Sequence, residues 1–145
     1  MATHGLPIWP WTQSEADELP PPERLLLDVL RSGMMAAAKG HPVLPALRLV
    51  LVTEDAVSAA PALDMVLRLA QRHVSPAPPF HSGLTDDEAA LLLAFALGQR
   101  APRREALAAL LRLMPAPEAT AALPALLQAG SCLRRAGLLL RNPLR

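Results

Sequence analysis

Cysteine, aromatic residues and lysine are scarce in this chain of 145 residues. The one cysteine, Cys132, excludes an internal disulfide and a zinc cluster built on cysteines, and we expect it to be a small core residue. Aromatic residues make up 3% of the sequence and include no tyrosine. This composition argues against a surface that stacks nucleic-acid bases.

Long apolar runs are also missing. The longest run spans residues 89–97, which is far shorter than the roughly 20 residues that a membrane helix needs. Residues 1–5 lack the basic start and the apolar stretch of a signal peptide. We therefore expect a cytoplasmic protein with no transmembrane segment.

Motifs of common enzyme classes do not occur. The sequence has no glycine-rich phosphate loop, Gly-x-Ser-x-Gly elbow, His-Glu-x-x-His helix or Cys-x-x-Cys pair. Groups that could bind zinc, manganese or iron gather around a proline-rich loop: His73, His81, Asp86, Asp87 and Glu88. Their spacing does not match ligands on one helix face, and acidic residues at a helix N-terminus balance its dipole. The sequence thus predicts no metal, no cofactor and no enzymatic activity.

Hydrophobic residues nevertheless make up 52% of the chain, with a mean hydropathy of +0.26, so a packed core is expected. Residues 1–21 show no apolar period and contain both tryptophans, Trp9 and Trp11. We interpret them as an irregular N-terminal arm. Residues 22–145 form the predicted helical domain.

Prolines divide that domain into segments with helical periodicity, because proline is tolerated in the first turn of a helix and disfavoured further in. The pattern predicts an all-α, single-domain bundle of about six helices with proline-marked starts. The expected helices cover residues 22–38, 46–52, 61–73, 85–97, 102–114 and 118–140. Gly40 and Gly98 are expected to end helices, and Pro124 to kink or restart the last one. Residues 45–53 leave helix and strand both open, with helix favoured because no partner strands occur.

Clear apolar faces occur on the first, third and fifth predicted helices. In the first, Arg24, Asp28 and Arg31 are expected on the solvent side, opposite this stripe: Leu26, Leu27, Leu30, Met34 and Ala37. In the fifth, Arg104, Ala108 and Arg112 are expected outside, opposite these residues: Leu107, Leu110, Leu111 and Met114.

The strongest local signal lies at residues 85–88. Thr85 and Glu88 have the spacing of a capping box, in which each side chain bonds the other residue's backbone N–H. The run at residues 89–97 is apolar on every side, so we expect this helix at the centre of the bundle.

The layout of a proline-rich loop, residues 84–88 and a leucine-rich helix is similar to short alphaproteobacterial helical proteins of unknown function. Those proteins tend to have cysteines in the loop, where this chain has residues 78–80, Pro-Pro-Phe. The resemblance implies a bacterial helical protein and no particular activity.

Small residues on the last predicted helix suggest a contact surface. Gly130 and Gly137 would let another helix approach closely, and they share a stripe with Leu133 and Leu140. We predict partner-binding residues there and at Trp9 and Trp11. Because so apolar a chain is hard to bury fully in 145 residues, the sequence favours a non-catalytic interaction or regulatory module that self-associates.

An uneven charge distribution supports an alternative. Residues 1–99 carry 6 basic and 11 acidic side chains, whereas residues 100–145 carry 8 basic and 2 acidic ones. Residues 88–113 also have the outline of a helix-turn-helix. The alternative is therefore a nucleic-acid-binding regulator that uses this arginine-rich hairpin: Arg100, Arg103, Arg104 and Arg112.

Overall fold

The computed structural model describes residues 14–100 and 102–143. Its six helices are α1 (Pro21–Ala38), α2 (Val43–Leu51), α3 (Ala60–Ala70), α4 (Asp86–Arg100), α5 (Arg103–Leu111) and α6 (Ala116–Arg135). Short 3-10 turns cover Ala16–Glu18, Val52–Glu54 and Val57–Ala59. The described residues form no β-strand, only an isolated bridge between Glu15 and Gly83. The predicted all-α class is confirmed, and α2 settles most of residues 45–53 as helix.

Prolines stand at most helix starts, as predicted. Pro20, Pro42, Pro102 and Pro115 are the N-cap residues of α1, α2, α5 and α6. Pro61 lies in the first turn of α3. Because the first N–H groups of a helix have no partner inside it, a proline there costs no helical hydrogen bond.

α4 begins with the predicted capping box. The backbone N–H of Glu88 donates to Thr85 Oγ1 at 3.0 Å, and the N–H of Thr85 donates to Glu88 Oε1 at 2.9 Å. Behind the box the helix is buried almost all round, with Leu92 and Phe95 fully covered. It packs against α1, α5 and α6, which confirms its central position. Across the described residues, no helix has the length and apolarity to span a membrane.

α3 ends at Ala70 rather than at residue 73, and α4 and α5 also end elsewhere than predicted. Gly98 does not end α4, which continues to Arg100. The glycine instead lies where α6 approaches, and a Cβ there would be 3.4 Å from the side chain of Leu126. α5 ends at Leu111, three residues earlier than expected. Leu111 is 47% exposed rather than inward, because the buried face of α5 runs through Ala106, Ala109 and Leu110. Leu110 is thus buried as predicted.

α6 passes through Pro124 without a restart and ends at Arg135 rather than at Leu140. Gly137, at φ +83°, is the reason. Its N–H donates to the carbonyl of Arg134 at 2.9 Å, and the N–H of Leu138 donates to the carbonyl of Leu133 at 2.8 Å. This is the Schellman arrangement, which ends a helix and needs the left-handed conformation that glycine adopts freely.

Residues 136–143 then return across the bundle. Arg100 donates from Nε and Nη2 to the carbonyl of Leu140 at 3.1 and 2.9 Å. The N–H of Leu140 donates to Gln99 Oε1 at 2.9 Å, and that of Arg141 donates to the buried carboxylate of Glu23 at 2.9 Å. This segment thus joins the end of α4 to the start of α1.

Candidate functional site

A buried ion pair joins α1 to α4. Arg31 Nε lies 2.7 Å from Glu88 Oε2, and Arg31 Nη2 lies 3.0 Å from Glu88 Oε1. The side chains are 4% and 0% exposed. The expectation that Arg31 faces solvent is therefore wrong, because Arg31 follows Leu27 by four residues and precedes Met34 by three, on the buried face of the helix.

The same two side chains hold the proline-rich loop, residues 75–84. Arg31 donates to the carbonyls of His81 and Gly83 at 2.7 and 2.8 Å. Glu88 accepts the N–H of Ala77 at 3.0 Å in addition to that of Thr85. Backbone groups on both arms of the loop are thus bonded to one buried pair, which fixes the loop against the bundle.

The electrostatics favour the charged pair. Burial alone would raise the pKa of the Glu88 carboxyl, but hydrogen bonds from Arg31, Thr85 and Ala77 outweigh it. The net pKa of Glu88 lies below its ordinary value. Glu88 is therefore ionised at neutral pH and is occupied by structural contacts.

Phe80 stands at the tip of this fixed loop. The N–H of His81 donates to the carbonyl of Pro78 at 3.1 Å, which closes a four-residue turn with Pro79 second and Phe80 third. Phe80 has φ +74°, the value that a type II turn requires at its third position and that glycine adopts most easily. The ring is fully exposed, at 103% of the reference area. A strained aromatic residue is thus presented to solvent.

A cavity of about 670 Å³ lies beside Phe80. Leu25, Val50 and Pro79 supply apolar lining from α1, from α2 and from the loop. Among the charged lining residues, Arg24 is paired with Asp17 at 2.7 Å and with Asp28 at 3.3 Å. The exposed ring and the cavity form one continuous surface.

Most of the residues predicted to form a partner-binding stripe are buried inside the bundle of the same chain. Gly130, Leu133 and Leu140 are buried within the described bundle, and only Gly137 is exposed. The close helix approach predicted at Gly130 is made by α4 of the same chain, since a Cβ there would lie 3.1 Å from Gln99 Cγ. Gln99 Nε2 also donates to the carbonyl of Gly130 at 3.2 Å. Trp9 and Trp11 lie outside the described residues.

The four arginines of the nucleic-acid alternative lie in two different environments. Arg100 is bonded to the carbonyl of Leu140, so it holds the C-terminal segment. Arg103, Arg104 and Arg112 are exposed at the two ends of α5. Arg104 Nε lies 3.3 Å from Glu105 Oε1. The nucleic-acid hypothesis stays a prediction that rests on the three exposed residues.

Four of the five residues considered for a metal site have other contacts: His73, His81, Asp87 and Glu88. His73 Nε2 lies 3.1 Å from Glu118 Oε2, and Asp87 Oδ2 accepts the N–H of Ser75 at 2.8 Å. His81 Nδ1 lies 2.9 Å from the carbonyl oxygen of Gly83. Within residues 14–100 and 102–143, no group of three or more His, Cys, Asp or Glu side chains could hold a metal ion.

Sequence reasoning missed both Arg31 and Phe80 as a site. The position of Arg31 between Leu27 and Met34 on the apolar stripe was a usable signal. The signal for Phe80 is weaker, because Pro-Pro-Phe indicates a turn but does not indicate that the ring is exposed. Comparison with protein-family models, with curated proteins and with solved structures finds no match for this chain.

Proposed function

We propose that this protein is a non-catalytic interaction module that self-associates through Phe80 and the cavity beside it. The exposure of Phe80 on a loop fixed by Arg31 and Glu88 is the observation that supports this function. Aromatic side chains dominate the energetics of protein interfaces, and a rigid support lowers the entropic cost of burying one.

The strain at Phe80 strengthens the argument. A bulky residue in the left-handed region costs about 1–2 kcal/mol, and residues held in this way concentrate at binding sites and switch regions. Glycine would remove the strain but also the ring. A phenylalanine at φ +74° therefore supports a role for the side chain outside the fold of one chain.

A second copy of the chain is the proposed partner. Phe80 and the cavity lie on one surface, so a two-fold axis would let each ring enter the cavity of the other copy. Two buried rings supply about 300–500 Å² of the roughly 1,200 Å² that a stable interface needs. Val52 is 58% exposed beside the cavity-lining Val50 and Thr53, and Leu49 is 74% exposed one turn earlier. Both would add apolar area to the interface.

The proposal includes a cytoplasmic location. Cys132 is a free, buried cysteine, and no disulfide stabilises the described bundle. Such cysteine usage is typical of proteins in reducing compartments.

Size-exclusion chromatography with light scattering tests the proposal, with absorbance recorded at 260 and 280 nm in low and high salt. We expect a dimer that survives high salt, because apolar association does not weaken as ionic strength rises. Phe80→Ala should shift the protein to monomer. Leu111→Ala, which removes another exposed apolar side chain at the end of α5, should leave the dimer intact.

A wild-type protein that stays monomeric at every concentration would refute self-association. A dimer that persists in Phe80→Ala would place the interface elsewhere. Excess absorbance at 260 nm that high salt removes would instead favour the nucleic-acid alternative and direct attention to Arg103, Arg104 and Arg112.

A further inference from the structure

A second cavity, of about 640 Å³, lies on the other side of the proline-rich loop. Its size is in the range of small-molecule sites, which span about 300–1,000 Å³. Met34, Met35 and Ala38 line it from α1, and Val74, Pro76 and Pro79 line it from the segment after α3. These walls are apolar and suit a hydrocarbon chain.

The charged lining residues of this cavity are all cationic: Arg31, Lys39 and Arg72. Arg31 is already occupied, since its guanidinium bonds Glu88 and two loop carbonyls. Lys39 and Arg72 are exposed and form no ion pair within the described residues. No acidic side chain among the described residues lines the cavity.

The helix dipoles compensate only part of this positive charge. Lys39 is the C-cap residue of α1, and Arg72 follows the C-terminus of α3. Each helix C-terminus carries about half a negative charge, so two of them leave about one of the two positive charges uncompensated. The mouth of an apolar cavity thus retains a net positive charge.

We infer that this cavity binds a small amphipathic anion, with its apolar tail between α1 and the proline-rich loop and its carboxylate between Lys39 and Arg72. Gln71, which also lines the cavity, can donate a hydrogen bond to the same headgroup. Phe80 does not line this site, although Pro79 of the same loop lines both cavities.

Isothermal titration calorimetry with dodecanoate below its micelle concentration tests the inference on the full chain. We expect saturable binding of one dodecanoate per chain. Dodecyltrimethylammonium, which has the same tail and the opposite charge, should bind at least tenfold more weakly. Acetate, which has the headgroup alone, should show no binding.

Two sets of variants test the assigned positions. Lys39→Glu with Arg72→Glu should raise the Kd for dodecanoate at least tenfold, because the headgroup would face two carboxylates. Arg48→Glu with Arg103→Glu changes net charge equally at exposed positions outside the cavity and should leave the Kd unchanged. Ala38→Trp, at an exposed lining position, should block the cavity without disturbing the core.

The inference is overturned if dodecanoate does not bind, if the ammonium analogue binds equally well, or if both charge-reversed pairs behave alike. Unchanged binding to Ala38→Trp would also overturn it. The circular dichroism of each variant verifies that a lost signal does not come from unfolding.

Discussion

Arg31 and Glu88, 57 residues apart in the sequence, form a buried ion pair with two hydrogen bonds. Each partner also bonds the backbone of the proline-rich loop, so the pair joins two helices and a loop that has no regular structure.

Breaking this pair should be strongly destabilising. Arg31→Met leaves an ionised carboxylate in the interior without its partner, and such a change costs about 3–5 kcal/mol. We expect that loss in the free energy of unfolding from urea titrations followed by circular dichroism. Arg24→Met, which removes the partly exposed ion pairs of another α1 arginine with Asp17 and Asp28, should cost at most about 1 kcal/mol.

Replacing both partners distinguishes the stability that comes from the ion pair from the stability that comes from its hydrogen bonds to the loop. The double variant Arg31→Met with Glu88→Met should lose less stability than the two single variants together, because no buried charge remains. It should still be less stable than the wild type, since the N–H groups of Ala77 and Thr85 lose their acceptor. Strict additivity of the two single effects would contradict this account.

Acid should weaken the same contacts. The pKa of Glu88 is lower in the folded chain than its ordinary value of 4.5, so folding releases a proton and is favoured above that value. The contribution disappears as the pH falls through the folded pKa. The difference in unfolding free energy between wild type and Glu88→Gln should therefore be constant above about pH 5.5 and shrink below pH 4.5. A difference that grows in acid would mean that folding raises the pKa of Glu88, which would contradict the assigned direction.

Gly33 and Gly98 form a matched pair for substitution by alanine. A Cβ at Gly33 would lie 2.5 Å from Leu67 Cδ1 and 2.9 Å from Leu47 Cδ2, whereas one at Gly98 meets Leu126 at 3.4 Å. Gly33→Ala should lose about 1–2 kcal/mol, since overpacking exceeds the gain in helix propensity. Gly98→Ala should gain up to about 1 kcal/mol. Thermal unfolding distinguishes these outcomes by the direction of the shift in Tm.

Phe80→Gly should separate folding from association. Glycine adopts φ +74° without steric cost, while its greater freedom in the unfolded chain offsets part of the gain. We expect the monomer to be as stable as wild type or more stable by up to about 1 kcal/mol. Urea titration at low protein concentration measures this, and a clear loss of stability would mean that the ring packs within its own chain.

The helical class could be predicted because its determinants are local. A proline at a helix start and the Thr85–Glu88 capping box each act over a span of about four residues. Both appear where the sequence predicts them. The end of α6 was mispredicted because leucine spacing continued past Gly137, and the backbone conformation of one glycine overrides that spacing.

The candidate surface depended on contacts that sequence spacing does not contain. Gly130 was expected to receive another helix, and the spacing could not show that α4 of the same chain occupies that position. Phe80 was unremarkable in the sequence because its exposure follows from a loop held by Arg31, 49 positions earlier in the chain. Such long-range hydrogen bonds determine whether an aromatic ring is buried or exposed.

The hydrogen bond from the Arg141 N–H to the Glu23 carboxylate is also expected to constrain the order of folding during synthesis. Glu23 belongs to the first turn of α1, and its Oε2 gains this hydrogen bond only after 118 further residues have been made and have left the ribosome. Until then the carboxylate must stay hydrated, which keeps the start of α1 from closing onto the core. The start of α1 is therefore expected to close onto the core only once residue 141 has left the ribosome, so that the first helix is not completed before the later ones.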